Sequence, residues 1–273
     1  MNNQPCFYAD KLIVLGKHEN ERGGGSIWML IQVLRRCTIC SWTNVPYEQW
    51  SAFLCRILKK YGIEDGPVLD LGCGPGKLTR LMAKAGYDMT GVDSSAEMLQ
   101  IALSQTGEEE ILYLLQEMQE LDLDGCVRAV YSACDCINYV LDEEELQEAF
   151  ARVYEHLETG GVFLFDMNTD YKYTQLLGEN TFAESREDGS FIWENYYDEE
   201  ERINEYDLTL FIPEQDGLYR RFSETHYQRD YDLQQIKIML EKAGFVCEAI
   251  YDDYSEETVH AESERAVFIG RKE

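Results

Sequence analysis

The sequence predicts an α/β fold in which a mainly parallel sheet is covered by helices on both faces and carries an antiparallel insertion. Short apolar runs alternate with stretches of helical periodicity along most of the chain, and this alternation is typical of parallel strands joined by helical crossovers. The exception is residues 181–228, which show the two-residue alternation of half-buried antiparallel strands.

The individual elements follow from the spacing of apolar residues and from the glycines that bound them. Helical spacing is seen at Trp50, Phe53 and Leu54, whereas the strands are short apolar runs. Ser94 and Glu97 stand at the spacing of a capping box, which predicts that a helix begins at Ser94. In chain order we predict helices at 50–61, 78–85, from 94 onward, 146–157 and 232–243, and strands at 67–71, 87–92, 111–115, 127–133, 162–165, 245–251 and 265–270, with three or four more between 181 and 228.

The net charge argues against two classes of partner. The 273 residues include 24 Lys and Arg and 52 Asp and Glu, which gives a formal charge of −28. Nucleic-acid phosphates and anionic membrane surfaces repel such a chain, and no stretch has the roughly 18 apolar residues of a membrane-spanning helix. We expect a cytoplasmic protein, monomeric or homodimeric, that binds neither nucleic acid nor membrane; the start of the sequence has no secretory pattern.

The first 43 residues differ from the rest. They hold five basic and three acidic residues, so the negative charge lies after them. They also contain Gly23-Gly24-Gly25 and lack clear periodicity, and we expect them to be poorly ordered or loosely docked. The predicted organisation is a divergent segment at 1–43 and one folded domain at 44–273, with the antiparallel insertion at 181–228.

The nine cysteines favour a reducing compartment over a disulfide framework, because they are odd in number and spread along the chain. Cys37 and Cys40 form a lone C-x-x-C. The four histidines supply no pair at ligand spacing. We therefore predict ordinary thiols and no metal site.

A glycine-rich turn after the first strand is the main functional signal. Gly72, Gly74 and Gly76 let the main chain approach a ligand at the start of a helix. A dinucleotide fingerprint places its third glycine one residue later, and Asp70 would set a negative charge beside a pyrophosphate. Asp93, about 20 residues past the first glycine, can accept hydrogen bonds from both ribose hydroxyls. The pattern favours a nucleoside with a positive centre and no phosphates over a nicotinamide dinucleotide.

These motifs resemble those of class I S-adenosylmethionine-dependent methyltransferases. The resemblance rests on Val68-Leu-Asp-Leu-Gly-Cys-Gly-Pro-Gly76, on Gly91-Val-Asp-Ser-Ser95 and on Met98-Leu99, and it extends from about Asn44 to Gly270. It is strongest for bacterial small-molecule methyltransferases with an inserted β-lid, a group that includes sugar N-methyltransferases. It implies a Rossmann-like, mainly parallel seven-stranded sheet, S-adenosyl-L-methionine as cofactor and a small-molecule methyl acceptor.

The resemblance also implies the cofactor-binding residues. The glycine-rich turn would lie against the methionine part with Asp70 nearby, Asp93 would hold the ribose, and Met98 would pack on the adenine. Glu117 and Met118 match the place where the adenine edge is read, and Cys134 matches the strand end beneath the methionine carboxylate. The full set is Asp70, Gly72, Cys73, Gly74, Gly76, Asp93, Ser94, Met98, Glu117, Met118 and Cys134.

Methyl transfer from a sulfonium is an in-line displacement, so a base is needed only where the acceptor must lose a proton. His226 is the candidate catalytic base, because histidine titrates near neutral pH; the alternative is a lid histidine with a structural hydrogen bond. Trp193 and Tyr197 are either an aromatic wall for a cationic amine or the core of the lid. The candidate substrate-binding residues are Asp135, Asn138, Tyr139, Asp166, Asn168, Trp193 and Tyr197.

The sequence departs from this family at its front. Members usually carry an aromatic segment of the Tyr-Asp type just before the Val-Pro-Tyr motif, where it helps to close over the cofactor. Residues 37–43, at the matching place, do not match it. The alternative function is therefore a module that binds S-adenosylmethionine or S-adenosylhomocysteine with weak or no turnover. The acceptor atom, nitrogen or oxygen, is left open.

Overall fold

The computed structural model describes residues 45–105, 107, 109–187 and 189–273, so the predictions for residues 1–43 and for the C-x-x-C motif lie outside the described residues. Its helices are α1 (Tyr47–Lys60), α2 (Lys77–Lys84), α3 (Ala96–Gln105), α4 (Glu143–His156) and α5 (Leu233–Lys242). Its strands are β1 (Gly66–Leu71), β2 (Tyr87–Asp93), β3 (Leu112–Leu115), β4 (Val127–Ser132), β5 (Leu157–Asn168), β6 (Thr181–Arg186), β7 (Gly189–Asp198), β8 (Ile203–Pro213), β9 (Tyr219–Arg229), β10 (Val246–Asp252) and β11 (Arg265–Arg271).

Seven strands form the main sheet, in the order β10-β11-β5-β4-β1-β2-β3. All the neighbouring pairs from β5 to β3 are parallel, and β11 runs antiparallel between β5 and β10. The chain order reverses at β1, which lies between β2 and β4. In open α/β sheets ligands bind beyond the carboxyl ends of the strands at such a reversal, so the topology places a site after β1, β2 and β4.

The helices cover both faces of this sheet, as predicted. On one face, α1 and α2 contribute Phe53, Leu54 and Met82 to a buried apolar layer. On the other face, α4 and α5 contribute residues such as Phe150 and Ile236 to a second layer. The two layers hold the sheet rigid from both sides, and the strand ends are left free to form a site.

The inserted strands form a separate antiparallel sheet in the order β6-β7-β8-β9, which confirms the predicted insertion. We call this sheet the lid. Leu208 and Leu210 form its small apolar core with Phe191, Trp193 and Phe222 packed against them. Among the described residues, no helix of the protein is long and apolar enough to cross a membrane.

The start of α3 differs from the sequence prediction. The helix begins at Ala96, and the side chain that caps it is Ser95, whose Oγ accepts a hydrogen bond from the main-chain N–H of Met98 at 3.2 Å. The capping box predicted from Ser94 and Glu97 is therefore wrong by one residue. The reason is local: Asp93 holds the main-chain N–H of Ser95 at 2.8 Å, which keeps that residue in the turn.

Candidate functional site

A cavity of about 480 Å³ lies between the carboxyl ends of the central strands and the lid. Its size is within the range of about 300–1,000 Å³ that is usual for small-molecule sites. All but four of the predicted site residues line it, and the four exceptions are Gly76, Asn138, Asp166 and Tyr197. The fold thus brings the predicted cofactor-binding and acceptor-binding residues to one enclosure. The lining residues named from sequence are Asp70, Gly72, Cys73, Gly74, Asp93, Ser94, Met98, Glu117, Met118, Cys134, Asp135, Tyr139, Asn168, Trp193 and His226.

The glycine-rich turn forms one wall of the cavity. All three of its glycines have positive φ, between 52° and 81°. A Cβ on Gly72 would lie 2.7 Å from Cys136 Sγ, and one on Gly76 would meet Tyr113 and Ala102, whereas a Cβ on Gly74 would meet nothing within 4 Å. Gly72 and Gly76 therefore allow close packing, and Gly74 leaves open space beside the main chain in which a ligand fits.

Asp93 joins the glycine-rich turn to the start of α3. One carboxylate oxygen accepts a hydrogen bond from the N–H of Gly74 at 2.7 Å and the other accepts one from Ser95 at 2.8 Å. A carboxylate has about four acceptor positions, so two are left for hydroxyl donors from the cavity. Burial raises the pKa of this carboxyl, and the two N–H groups oppose that rise. The arrangement fits a ribose diol.

Asp70 is a buried carboxylate at the base of the same wall. Its Oδ2 accepts hydrogen bonds from Thr79 Oγ1 at 2.6 Å and from Tyr131 Oη at 2.9 Å, and burial raises its pKa to about 7. It forms no ion pair with any cation in the described part of the chain. A buried acid without a cationic partner favours a ligand with a positive centre, which agrees with the sequence prediction.

The floor of the cavity is the turn after β4, where Cys134 and Asp135 both have left-handed φ angles, 65° and 52°. The carboxylate of Asp166 holds this turn, because its oxygens accept the N–H of Cys134 at 3.1 Å and of Asp135 at 2.6 Å. Arg265 and Tyr254 hold Asp166 in turn, at 2.8 and 2.7 Å. Asp166, predicted to line the pocket, lies behind the floor and supports it.

The lid supplies an aromatic wall. The rings of Tyr206 and His226 are stacked with centroids 4.8 Å apart, and the Trp193 ring lies 5.5 Å from Tyr206. Tyr139, from the floor side, lies edge-on to His226 at 6.0 Å and its hydroxyl is hydrogen-bonded to that of Tyr206. His226 Nε2 lies 3.3 Å from the carboxylate of Glu224. The predicted candidate base therefore faces the cavity, with an acid beside it.

Two predicted substrate-binding residues have structural contacts instead. Tyr197 donates a hydrogen bond to Asp230 at 2.8 Å and does not line the cavity. Asn138 is fully buried; it accepts the N–H of Asn168 at 2.9 Å and donates to the main-chain oxygen of Arg229 at 2.9 Å. Asn138 therefore ties the end of β5 to the end of the lid.

The sequence prediction missed several residues of the cavity. Gln228 donates a hydrogen bond to Asp135 at 2.6 Å. It lies two residues after His226 on β9 and therefore on the same face of the strand, so the two-residue alternation could have predicted it as a cavity residue. Arg265 starts β11 directly opposite Asn168 and pairs with Asp135 at 2.9 Å, a contact that only the sheet register reveals. The other missed residues include Val45, Tyr47, Trp50, Lys77, Lys172, Tyr206, Leu208 and Glu224.

Comparison with known proteins supports the same chemistry. A family model described as a methyltransferase domain matches residues 68–161. A protein of Geobacillus sp. (strain WCH70), named as a methyltransferase, is 36% identical over 232 residues, which cover 84% of this chain and 94% of that protein. The family-model match includes the end of β1, the glycine-rich turn and Asp93 at the end of β2, from which the site is built.

Solved structures agree with the fold. A S-adenosylmethionine-dependent methyltransferase from Clostridium acetobutylicum ATCC 824 has a TM-score of 0.82 and 26% identity, covering 89% of this chain and 99% of that one. The sugar N-methyltransferase KedS8 from Streptoalloteichus sp. ATCC 53650 has a TM-score of 0.70 and 19% identity, covering 98% and 100% of the two chains. The second likeness concerns the fold alone.

Proposed function

We propose that the chain, which belongs to the class I S-adenosylmethionine-dependent methyltransferases, methylates a nitrogen or an oxygen of a small molecule held between the main sheet and the lid. Its cofactor is S-adenosyl-L-methionine. The observation that supports this proposal is that one cavity of about 480 Å³ is lined both by the cofactor-side residues and by the inner face of the lid. An enclosure of this size suits a small acceptor, and the charge of −28 disfavours a nucleic acid.

The residues of the cofactor side suit this cofactor. When bound, S-adenosyl-L-methionine supplies an electrophilic methyl group on a positively charged sulfur. Asp93 offers its remaining acceptor positions to the ribose, and the main chain at Gly74 leaves room for the ligand. Asp70 places a buried carboxyl group by the same wall, and a positive centre on the ligand favours its charged form. These residues bind and orient, which is most of what an in-line displacement requires.

The lid residues act on the acceptor. The inner face of the lid lines the cavity and presents the rings of Trp193 and Tyr206 to the acceptor. His226 takes up the proton that a neutral amine or hydroxyl loses as it is methylated, and Glu224, 3.3 Å away, stabilises the imidazolium that results. The base and the cofactor-side residues line one cavity, as transfer within a closed site requires.

A binding module without turnover is the alternative, and we do not favour it. In the described part of the chain, Glu224 and His226 line the same cavity as Asp93 and Gly74. A module that only binds the cofactor has no need of an acid and a histidine on the opposite wall. Equilibrium titration with S-adenosylhomocysteine, followed by an acceptor screen, separates the two functions.

The proposal is tested by a screen of small amines, alcohols and carboxylic acids, with mass spectrometry to detect a gain of one methyl group. The screen uses the full chain and a second protein that starts at residue 44. We expect one class of compound to gain a methyl group, and Asp93→Ala to abolish the gain. Cofactor binding with no product across the whole panel would contradict the proposal and favour the alternative.

We further propose that the protein is cytoplasmic and acts as a monomer or a homodimer. All six cysteines that the structure describes are free thiols, as is usual in a reducing compartment. Cell fractionation tests the location. Size-exclusion chromatography with light scattering tests the oligomeric state, and an elution as a trimer or larger assembly would contradict it.

A further inference from the structure

We propose that Lys172 binds an acidic group, a carboxylate or a phosphate, carried by the methyl acceptor. This inference rests on the proposed function and names the class of substrate for the same cavity. Lys172 is the first residue of a π-helical turn, Lys172–Leu177, that follows β5 and leads into the lid. Both ends of this turn line the cavity. Short π-helical turns are rare and often occur at functional sites.

The ammonium group of Lys172 is left largely without partners. Its Nζ donates one hydrogen bond, to the side-chain oxygen of Asn168 at 2.9 Å. Within the described residues it forms no ion pair at 4.0 Å or less. An ammonium has three N–H donors, so two remain for a ligand. A half-buried cation that faces a cavity and is held by a neutral amide is suited to receive an anion.

In the part of the chain that the structure describes, the cavity is lined by two other Lys or Arg side chains, and both interact with groups of the protein. Arg265 lies 2.9 Å from Asp135 and 2.8 Å from Asp166, so its charge is neutralised within the protein. Lys77 follows the glycine-rich turn on the cofactor side, where its Nζ lies 4.3 Å from the centre of the Tyr47 ring. Among the described residues on the lid side of the cavity, Lys172 is the cation available to an acceptor.

Asp135, the first of the nearby acids, directs its carboxylate oxygens to groups other than the Lys172 ammonium. Asp135 uses one carboxylate oxygen for Arg265 and the other for Gln228, at 2.9 and 2.6 Å. Burial and the positive charge of Arg265 lower the pKa of Lys172, although Asp135, Glu264 and Asp166 oppose that change. The charged ammonium is therefore poorly solvated in the free protein. An anionic group on the acceptor would supply the missing interactions.

The test uses protein saturated with S-adenosylhomocysteine, so that the cofactor's own carboxylate position is filled. Binding of benzoate, phenyl phosphate and the neutral benzamide is measured by calorimetry or by NMR titration. All three share a ring that can stack on the aromatic wall of the lid, and they differ in charge. We expect at least one of the two anions to bind on the order of tenfold or more tightly than benzamide, and the stronger anion identifies the acidic group.

Substitutions then assign the preference to Lys172. Lys172→Gln and Lys172→Met should abolish it, and Lys172→Arg should retain most of it. Lys237→Gln, a control on α5 outside the lining of the cavity, should leave it unchanged. Two neutral variants are used because one of them can fail to fold. Equal binding of all three probes by the wild type would overturn the proposal, as would a preference that survives both neutral substitutions.

The same data distinguish this inference from the function on which it rests. If the wild type does not bind S-adenosylhomocysteine, the proposed function fails. If it binds and shows no preference for anions, only the role of Lys172 fails. If Lys172→Gln weakens S-adenosylhomocysteine binding and leaves the preference for anions intact, the ammonium holds the cofactor and the inference is wrong.

Discussion

Asp166 Oδ1 lies 2.6 Å from the main-chain nitrogen of Asp135, in the turn that forms the floor of the cavity. Asp135 and its neighbour Cys134 both have left-handed backbone angles, which cost of order 1–3 kcal/mol each for residues other than glycine. The second oxygen of Asp166 accepts the N–H of Cys134 at 3.1 Å. One buried carboxylate therefore offsets the strain of both residues.

Asp166→Asn should weaken both the fold and cofactor binding. An amide has one oxygen to accept hydrogen bonds, so one of the two N–H groups loses its acceptor, and Arg265 loses a counter-charge. Breaking a buried pair in this way costs about 3–5 kcal/mol. We expect the free energy of unfolding in urea to fall by about that amount, and binding of S-adenosylhomocysteine to weaken by roughly tenfold. Asp170→Asn, on an exposed neighbour, is the control, and equal stability of the two variants would contradict the role of Asp166.

Asp93→Asn should reduce cofactor affinity more than stability. The amide cannot accept both the Gly74 and the Ser95 N–H groups and keep positions free for a ribose diol. Hydrogen bonds to a charged group contribute about 1.5–3 kcal/mol each, so S-adenosylhomocysteine should bind roughly a hundredfold more weakly in calorimetry. Asp88→Asn, on the exposed side of the same strand, should bind normally. If Asp93→Asn binds S-adenosylhomocysteine with an affinity within threefold of the wild type, Asp93 does not bind the cofactor.

Asp70 should make stability depend on pH. Its pKa in the folded protein, about 7, is above the ordinary value of 3.8, so the folded state holds the proton more tightly than the unfolded state does. This contribution to stability is complete below about pH 4 and is lost as the pH rises through 7.

Asp70→Asn does not titrate at this position. Relative to that variant, the wild type should therefore lose roughly 3 kcal/mol of unfolding free energy between about pH 5 and pH 8. Urea unfolding at a series of pH values measures the difference, with Asp124→Asn, at an exposed site, as the control. If the difference in unfolding free energy between the wild type and Asp70→Asn stays constant over this range, burial does not raise the pKa of Asp70.

His226→Gln should lower kcat and leave cofactor binding unchanged. A positioned general base contributes typically 10²–10⁴-fold to the rate, and Gln keeps a hydrogen-bonding side chain of similar size. Steady-state kinetics with the acceptor found in the screen give kcat and KM, and calorimetry gives the affinity for S-adenosylhomocysteine. An unchanged kcat would support the other interpretation, in which His226 has a structural hydrogen bond in the lid, or an acceptor that needs no base.

Most of the fold could be predicted from the sequence, because apolar periodicity and glycine punctuation are local signals. The strand predicted at 162–165 is an example of what these local signals do not contain. In the structure β5 runs from Leu157 to Asn168, and it includes the glycines that were expected to precede the strand. Gly160 is held there by a hydrogen bond from its N–H to the main-chain oxygen of Lys272, a partner at the far end of the chain. No local pattern contains such a contact.

Only part of the site could be predicted from the sequence, because some of its residues belong to a local motif and others are brought together by contacts that are distant in sequence. Asp70 and Asp93 lie at the carboxyl ends of β1 and β2 and could be placed from the motif, whereas Asp166, near the equally polar end of β5, supports the floor from behind. Lys172 had no signal in sequence, because its significance depends on its place at the cavity and on the lack of an ion-pair partner within 4.0 Å among the described residues. Arg265 reaches the site because β11 runs antiparallel and therefore begins at the edge where β5 ends.

We propose above that the protein transfers a methyl group to a small molecule inside the cavity beneath the lid. This transfer is tested most directly by incubating the full chain with S-adenosylmethionine that carries an isotope-labelled methyl group, together with a pool of small metabolites, and following the label by mass spectrometry. We expect the label to enter a compound of low molecular weight, and we expect Asp93→Asn and His226→Gln to reduce its entry. Label found only in nucleic acid or protein, or cofactor bound with no transfer, would contradict the proposal.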